Sequence, residues 1–268
     1  MEVEFEDVSF GYDDDTQVLH GIDLRLEGPG LVCVIGPNGV GKSTLIKCIN
    51  RLLRPTHGSV KVDGRDVSEY SLSDLSRIIG YVPVSGEGFA MTVLDTVLLG
   101  RHPYRRIGSL KEDMKIVHGI LDIMNLGHLS MRNFNELSAG QHQRVAIAMG
   151  LAQEPEILVL DEPTSNLDIR HQIYVTELLK AMAHTKNMMV IMISHDINIT
   201  ARYADEIVMM TTPGRIYRVG KPHEVITEDT IRYVYGVEST ITDVNGHPNV
   251  VLDYAIPDEE MRSLHGDM

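Results

Sequence analysis

The run Gly36-Pro37-Asn38-Gly39-Val40-Gly41-Lys42-Ser43-Thr44 has the G-x-x-x-x-G-K-[ST] spacing of a phosphate-binding loop. It follows apolar Leu31-Val32-Cys33-Val34-Ile35 and precedes Leu45-Ile46-Lys47-Cys48-Ile49, so a buried strand, a glycine-rich turn and a helix start occur in that order. Such an order converges backbone N–H groups on one point and turns the positive end of a helix dipole toward an anion there. Glycines at 36, 39 and 41 permit positive φ and close backbone approach. Lys42 is placed for the β- and γ-phosphates of a nucleotide, and Ser43 for the magnesium ion that bridges them. A plain Gly-Pro-Asn-Gly surface turn would leave the flanking strand and helix patterns unexplained.

A second constellation lies downstream. Ile157-Leu158-Val159-Leu160-Asp161-Glu162 puts two carboxylates at the end of an apolar strand, where side chains emerge beside a phosphate loop in a sheet of this kind. Asp161 suits magnesium, directly or through water, and Glu162 suits a general base that polarises an attacking water. In Asn135-Glu136-Leu137-Ser138-Ala139-Gly140-Gln141-His142-Gln143-Arg144, Ser138 is an N-cap with Gln141 as its capping-box partner. By itself that is a well-capped helix. Together with Asp161-Glu162-Pro163-Thr164-Ser165-Asn166-Leu167-Asp168 it resembles the signature motif of ATP-binding cassette (ABC) ATPases, and the resemblance covers nearly the whole chain in order.

The resemblance implies ATP and Mg2+ as cofactors and a site shared by two copies packed head to tail, each nucleotide lying between one copy's phosphate loop and the other's signature helix. Residues 36–44 would then cradle phosphates, with Lys42, Glu162 and His195 catalytic and Ser43 and Asp161 on the metal. Ser138, Ala139, Gly140 and Gln141 would approach the partner's γ-phosphate, and Asp168 would lie in the loop that crosses the interface. His195, in Ile193-Ser194-His195-Asp196, is similar to the family's switch histidine. Tyr12, in Phe10-Gly11-Tyr12, matches the aromatic that stacks on adenine, with a buried core tyrosine as the alternative. Two positions depart from the pattern. Val84 stands after Ile79-Gly80-Tyr81-Val82-Pro83 where the family usually has a glutamine that touches metal and water, with Ser85 and Glu87 as nearby substitutes. Ala139 stands where glycine is usual and is tolerated if its φ is negative.

Met91-Thr92-Val93-Leu94-Asp95-Thr96-Val97-Leu98-Leu99-Gly100-Arg101-His102-Pro103-Tyr104, Arg132-Asn133-Phe134-Asn135-Glu136-Leu137 and Ser165-Asn166-Leu167-Asp168-Ile169-Arg170-His171-Gln172 resemble segments of importer ATPases for iron-siderophore, haem and cobalamin complexes. The implied activity is ATP hydrolysis that energises uptake of such a metal chelate. Implied partners are a second copy and membrane permease subunits received on residues 84–110, without direct contact with the transported compound. A solvated helical hairpin with a basic turn at Arg105-Arg106 is the plainer account of that segment. Two other functions stay open: a soluble cassette ATPase of cofactor assembly, and, on account of Val84, a nucleotide sensor impaired in hydrolysis.

The elements that must position these groups follow from apolar periodicity. Val3, Phe5, Val8 and Phe10, then Gly21 to Leu26, predict an antiparallel layer, and Val60 and Val62 before Asp63-Gly64 predict a hairpin. After a strand at Ile78 to Val82, residues 91–152 are helical in period, interrupted at Arg101 to Ser109. Alternation then resumes with strands at Ile157 to Leu160, Met188 to Ile193, Ile207 to Met210 and Arg215 to Val219, and helices at Ile169 to His184 and His223 to Tyr235. A hairpin around Asn245-Gly246 and a polar tail from Asp258 to Met268 close the chain. The expected fold is α/β: a P-loop ATPase core with a parallel sheet (1–83 and 153–236), an antiparallel β layer, an inserted α-helical subdomain (84–152), and a C-terminal hairpin and tail (237–268).

Composition agrees. With 268 residues, 43% of them hydrophobic, the chain can bury one large core. A net charge of −14 argues against a nucleic-acid surface. No apolar run nears the roughly 18 residues of a spanning helix, and Met1-Glu2-Val3-Glu4 is unlike a signal peptide. A cytoplasmic protein is therefore expected, and the resemblance to importer ATPases implies that it is peripheral on the inner face of the membrane. Cys33 and Cys48 read as small buried hydrophobes, and the 12 histidines lack zinc-ligand spacing.

Overall fold

Alternation drives the first layer. Val3, Phe5, Val8 and Phe10 are buried along β1 (Glu2–Gly11), which pairs antiparallel with β2 (Gln17–Glu27). The computed structural model describes residues 1–13, 16–84, 91–104 and 110–265. After β3 (Gly30–Ile35), buried at every residue, the phosphate loop leads into α1 (Lys42–Ile49). β4 (His57–Val62) returns to β1 and turns through Asp63-Gly64 into β5 (Arg65–Asp66), giving an antiparallel sheet in the order β2-β1-β4-β5. A helix absent from the sequence reading follows, α2 (Leu72–Ile78), feeding β6 (Ile79–Val82). Its local signal is Ser71, whose Oγ accepts the Asp74 backbone N–H at 3.1 Å and caps the first turn.

Between β6 and the next strand the described chain is helical: α3 (Val93–Leu98), a 3-10 turn over Leu99–Tyr104, α4 (Leu110–Ile123) and α5 (Ala139–Ala152). The interruption expected from Arg101 is in part this 3-10 turn; residues 105–109, with Arg105-Arg106, lie outside the described residues. Arg101 pins the turn to its neighbours. It donates from Nε to Asp113 Oδ1 on α4 at 2.9 Å, and from Nη1 to the Ala152 carbonyl and Glu154 Oε2, each at 2.8 Å. Arg101 and Asp113 are both buried, so removing the guanidinium leaves a carboxylate in low dielectric without that counter-charge. Arg101→Ala is expected to lower unfolding free energy by about 3 kcal/mol. Urea denaturation checks this, and an unchanged midpoint would show the pair to be dispensable.

The second sheet is completed by β7 (Ile157–Leu160), α6 (Ile169–Thr185), β8 (Met189–Ile193), α7 (Ile197–Tyr203), β9 (Glu206–Thr211) and β10 (Arg215–Gly220). Its strand order is β10-β9-β3-β8-β7-β6, parallel except for the antiparallel edge strand β10. Side chains divide by the period of two. Leu158 and Leu160 join a core with Val145, Leu151 and Leu179 of the helices, whereas Ile157 and Val159 join one with Phe5, Leu26 and Ile46. Burial on both faces is why these strands read as unbroken apolar runs.

The C-terminal region departs from expectation twice. His223 to Tyr235 is two helices, α8 (Pro222–Val225) and α9 (Glu228–Tyr235), because Thr227 Oγ1 accepts the Thr230 N–H at 3.2 Å and starts a new helix. The hairpin forms as β11 (Val237–Asp243) and β12 (Pro248–Ala255), but the polar tail is helical through α10 (Asp258–His265). Glu260 of α10 pairs with Arg232 of α9, a tertiary tie that local pattern does not reveal. Residues 266–268 lie outside the described residues.

Candidate nucleotide site

The loop closes because its glycines adopt conformations a side chain would oppose. Gly36 has φ 147°, and a Cβ there would meet the Met210 carbonyl oxygen at 2.5 Å; Gly41, φ 103°, begins α1. Lys42 is 5% exposed and donates from Nζ to the carbonyls of Gly36 at 2.8 Å and Pro37 at 2.7 Å. Burial pushes its ammonium pKa down, opposed by the nearby charges of Glu162 and Asp161. Its flexible stem can exchange these carbonyls for phosphate oxygens, which are stronger acceptors.

Parallel pairing brings the end of β7 to the start of α1. Ser43 Oγ donates to Asp161 Oδ1 at 2.9 Å, and Lys47 Nζ lies 3.9 Å from Asp161 Oδ2. One hydroxyl and one carboxylate, both hard oxygen donors, fit magnesium, which takes few protein ligands and completes its shell with phosphate and water. The next residue turns sharply. Glu162 has φ 49°, a left-handed conformation costly for a non-glycine residue and stabilised by Ser165, which donates to the Glu162 carbonyl from Oγ at 3.0 Å. This turn sets Glu162 Oε1 2.7 Å from His195 Nε2, at the end of β8. Thr164, Ser165, Gln172, Glu162 and His195 line a cleft of about 360 Å³. A partly exposed carboxylate oriented by an imidazole beside water-accessible space can accept a proton from water.

Tyr12 is 63% exposed, which rules out the buried core tyrosine. Its ring is held edge-on to Phe10 at 5.0 Å, and its hydroxyl lies 3.4 Å from Thr44 Oγ1, at the start of α1. An exposed aromatic face beside the phosphate loop suits a purine ring.

The signature residues form a separate group. Ser138 and Gln141 make the reciprocal capping box, Gln141 N–H to Ser138 Oγ at 3.3 Å and Ser138 N–H to Gln141 Oε1 at 2.9 Å. Ser138 and Ala139 are exposed, and Ala139 is helical, so its methyl meets no backbone penalty. A Cβ on Gly140 would touch Leu167 Cδ2 at 3.3 Å, so this helix start packs on the loop carrying Asp168. Asp168 has local work that sequence reasoning missed. It caps α6 by accepting the His171 N–H at 2.9 Å, and His171 Nδ1 lies within 2.8 Å of Oδ1, which holds the carboxyl below its usual pKa. The Asp-x-x-His spacing carried that signal.

Three further residues bear on the site. Val84 is half-buried, whereas Ser85 and Glu87 lie outside the described residues. Tyr81, unremarked in the sequence reading, donates its hydroxyl to Asp161 Oδ2 at 3.4 Å. Its signal was register: Tyr81 pairs with Val159, and Asp161 is two residues further along on the same face. Burial pushes up the pKa of the Tyr235 phenol of α9, opposed by the Gly36 backbone of the phosphate loop.

A glycine-rich loop between strand and helix, with a hydroxyl, a lysine and strand-end carboxylates converging on it, defines a P-loop nucleotide-binding protein. Residues 19–165 match the ABC transporter family. The chain is 36% identical over 251 residues to the ferric enterobactin transport ATP-binding protein FepC of Escherichia coli, covering 92% of each. It is 38% identical over 246 residues to the hemin import ATP-binding protein HmuV of Hahella chejuensis, covering 88% of this chain and 94% of that one. Among solved structures, the dimeric post-hydrolysis state of the cassette MJ0796 with ADP and Pi superposes with a TM-score of 0.74 at 30% identity, covering 82% of this chain and 98% of that one. The chain belongs to the ABC transporter family, as an ATP-binding ATPase subunit. Among the described residues no helix is long and apolar enough to cross a membrane.

Proposed function

We propose that this chain hydrolyses Mg-ATP to energise uptake of a metal chelate such as an iron-siderophore, haem or cobalamin complex, working as a head-to-tail pair on the inner face of a membrane permease. The observation that carries the hydrolytic part is the 2.7 Å contact of Glu162 with His195 beside the Ser43–Asp161 pair. The importers named above support the transport part, and the dimeric cassette supports the pairing.

In this reading Lys42 and the loop N–H groups of residues 36–44 bind and orient phosphates. Ser43 and Asp161 hold magnesium, which when bound neutralises phosphate charge and polarises the transferred group. Glu162 takes the proton of the attacking water at its carboxylate, and His195 fixes that carboxylate. Tyr12 positions adenine. Exposed Ser138 and Ala139, with Gly140, serve the nucleotide of the opposite copy, where the helix start favours anions. Closure on ATP but not ADP biases two arrangements of the pair, and that difference is transmitted to the permease. The proposed division of labour keeps residues 1–83 and 153–236 as the nucleotide core, 84–152 as the permease-facing helical part, and 237–268 as an appended hairpin and helix.

Val84 favours a second reading, a sensor that binds ATP without turning it over. Phosphate release by the purified full chain, with Mg2+ and with EDTA, beside Val84→Gln, separates the two. Turnover by the unaltered chain that EDTA abolishes is expected. A silent wild type awakened by Val84→Gln would select the sensor.

A further inference from the structure

Asp161 must present one carboxylate oxygen toward the metal position beside Ser43, and a carboxylate is oriented by what its other oxygen accepts. Oδ1 is 2.9 Å from Ser43 Oγ. Around Oδ2 stand the Tyr81 hydroxyl at 3.4 Å and the Lys47 ammonium at 3.9 Å.

We propose that Tyr81 is a positioning residue of the metal site, its hydroxyl holding Asp161 by Oδ2 so that Oδ1 faces the metal position. The proposal rests on the Mg-ATP reading above.

The surroundings favour it. β6 is fixed beside β7 by the register Tyr81↔Val159 and Val82↔Leu160, and the Asp161 N–H donates to the Val82 carbonyl at 2.8 Å, so the phenol and the carboxylate share one rigid ladder. The ring packs against the core that contains Val159 and Ile46, which fixes the direction of the hydroxyl. A phenol is a neutral hydroxyl donor at neutral pH. Phenylalanine would keep the ring packing and remove only the donor.

The test measures Mn2+ binding to the full-length protein in ADP by electron paramagnetic resonance, with nucleotide affinity in EDTA and thermal melting as controls. Tyr81→Phe is expected to weaken Mn2+ by about tenfold, the lower end for an orienting partner of a ligand, while nucleotide affinity in EDTA and melting stay unchanged. Equal Mn2+ affinity in wild type and Tyr81→Phe would overturn the positioning role. Failure of the wild type itself to bind Mn2+ with ADP would instead overturn the Mg-ATP reading, and this inference with it.

Discussion

Glu162→Gln is expected to lower ATP turnover by about 10²–10⁴-fold, the usual contribution of a positioned general base, while leaving nucleotide binding intact. The amide is nearly isosteric and can still face His195, but it does not accept a proton from water at neutral pH. Lys42, Ser43 and Asp161 are untouched, so the proposed phosphate and metal contacts should persist. The protein should then bind ATP without destroying it, and under the proposed closure it should accumulate as a dimer with ATP and return to monomer with ADP. Phosphate release and size exclusion read the two halves separately. Turnover within a few-fold of wild type would remove Glu162 from the role of base, whatever its contact with His195.

What was legible in the sequence was mostly local. The phosphate loop spans nine consecutive residues whose conformations are set by glycine and by the flanking strand and helix. Asp161 and Glu162 were legible because carboxylates ending an apolar run are conspicuous, and Ser138 with Gln141 because a capping box is a short-range pattern. The contact of His195 with Glu162 joins two strand ends more than thirty residues apart; the family resemblance pointed to His195 as a γ-phosphate contact and not to this pairing. Tyr81 escaped notice because its relation to Asp161 depends on which strands pair and in what register, information spread over β6 and β7. Arg101 read only as the start of a break in the helical pattern, yet its charge is buried by α4 and the end of α5. α10 looked like tail because its helicity is tied to Arg232, far back in the chain. Long-range partners explain each of these misses.

The proposed composite site makes a further prediction that no single chain can satisfy alone. Lys42→Ala removes a buried cation from the phosphate loop and should cost about 10²–10³-fold in turnover, as does loss of one preorganised charge-stabilising donor. Ser138→Arg places a long charged side chain on the exposed start of α5, where the reading above puts the opposite copy's γ-phosphate, and should silence turnover by blocking approach. Loss of the serine cap costs about 1 kcal/mol, too little to unfold a domain, and melting curves verify that. Each variant is then inactive for a different reason. In a mixed dimer one of the two sites combines both lesions, whereas the other combines an intact phosphate loop from the Ser138→Arg copy with an intact signature helix from the Lys42→Ala copy. Random pairing makes half the dimers mixed, each with one complete site, so an equimolar mixture should recover roughly a quarter of wild-type turnover. A mixture no more active than the mean of its components would place the whole site within one copy and leave Ser138 and its neighbours with the capping of α5 as their task.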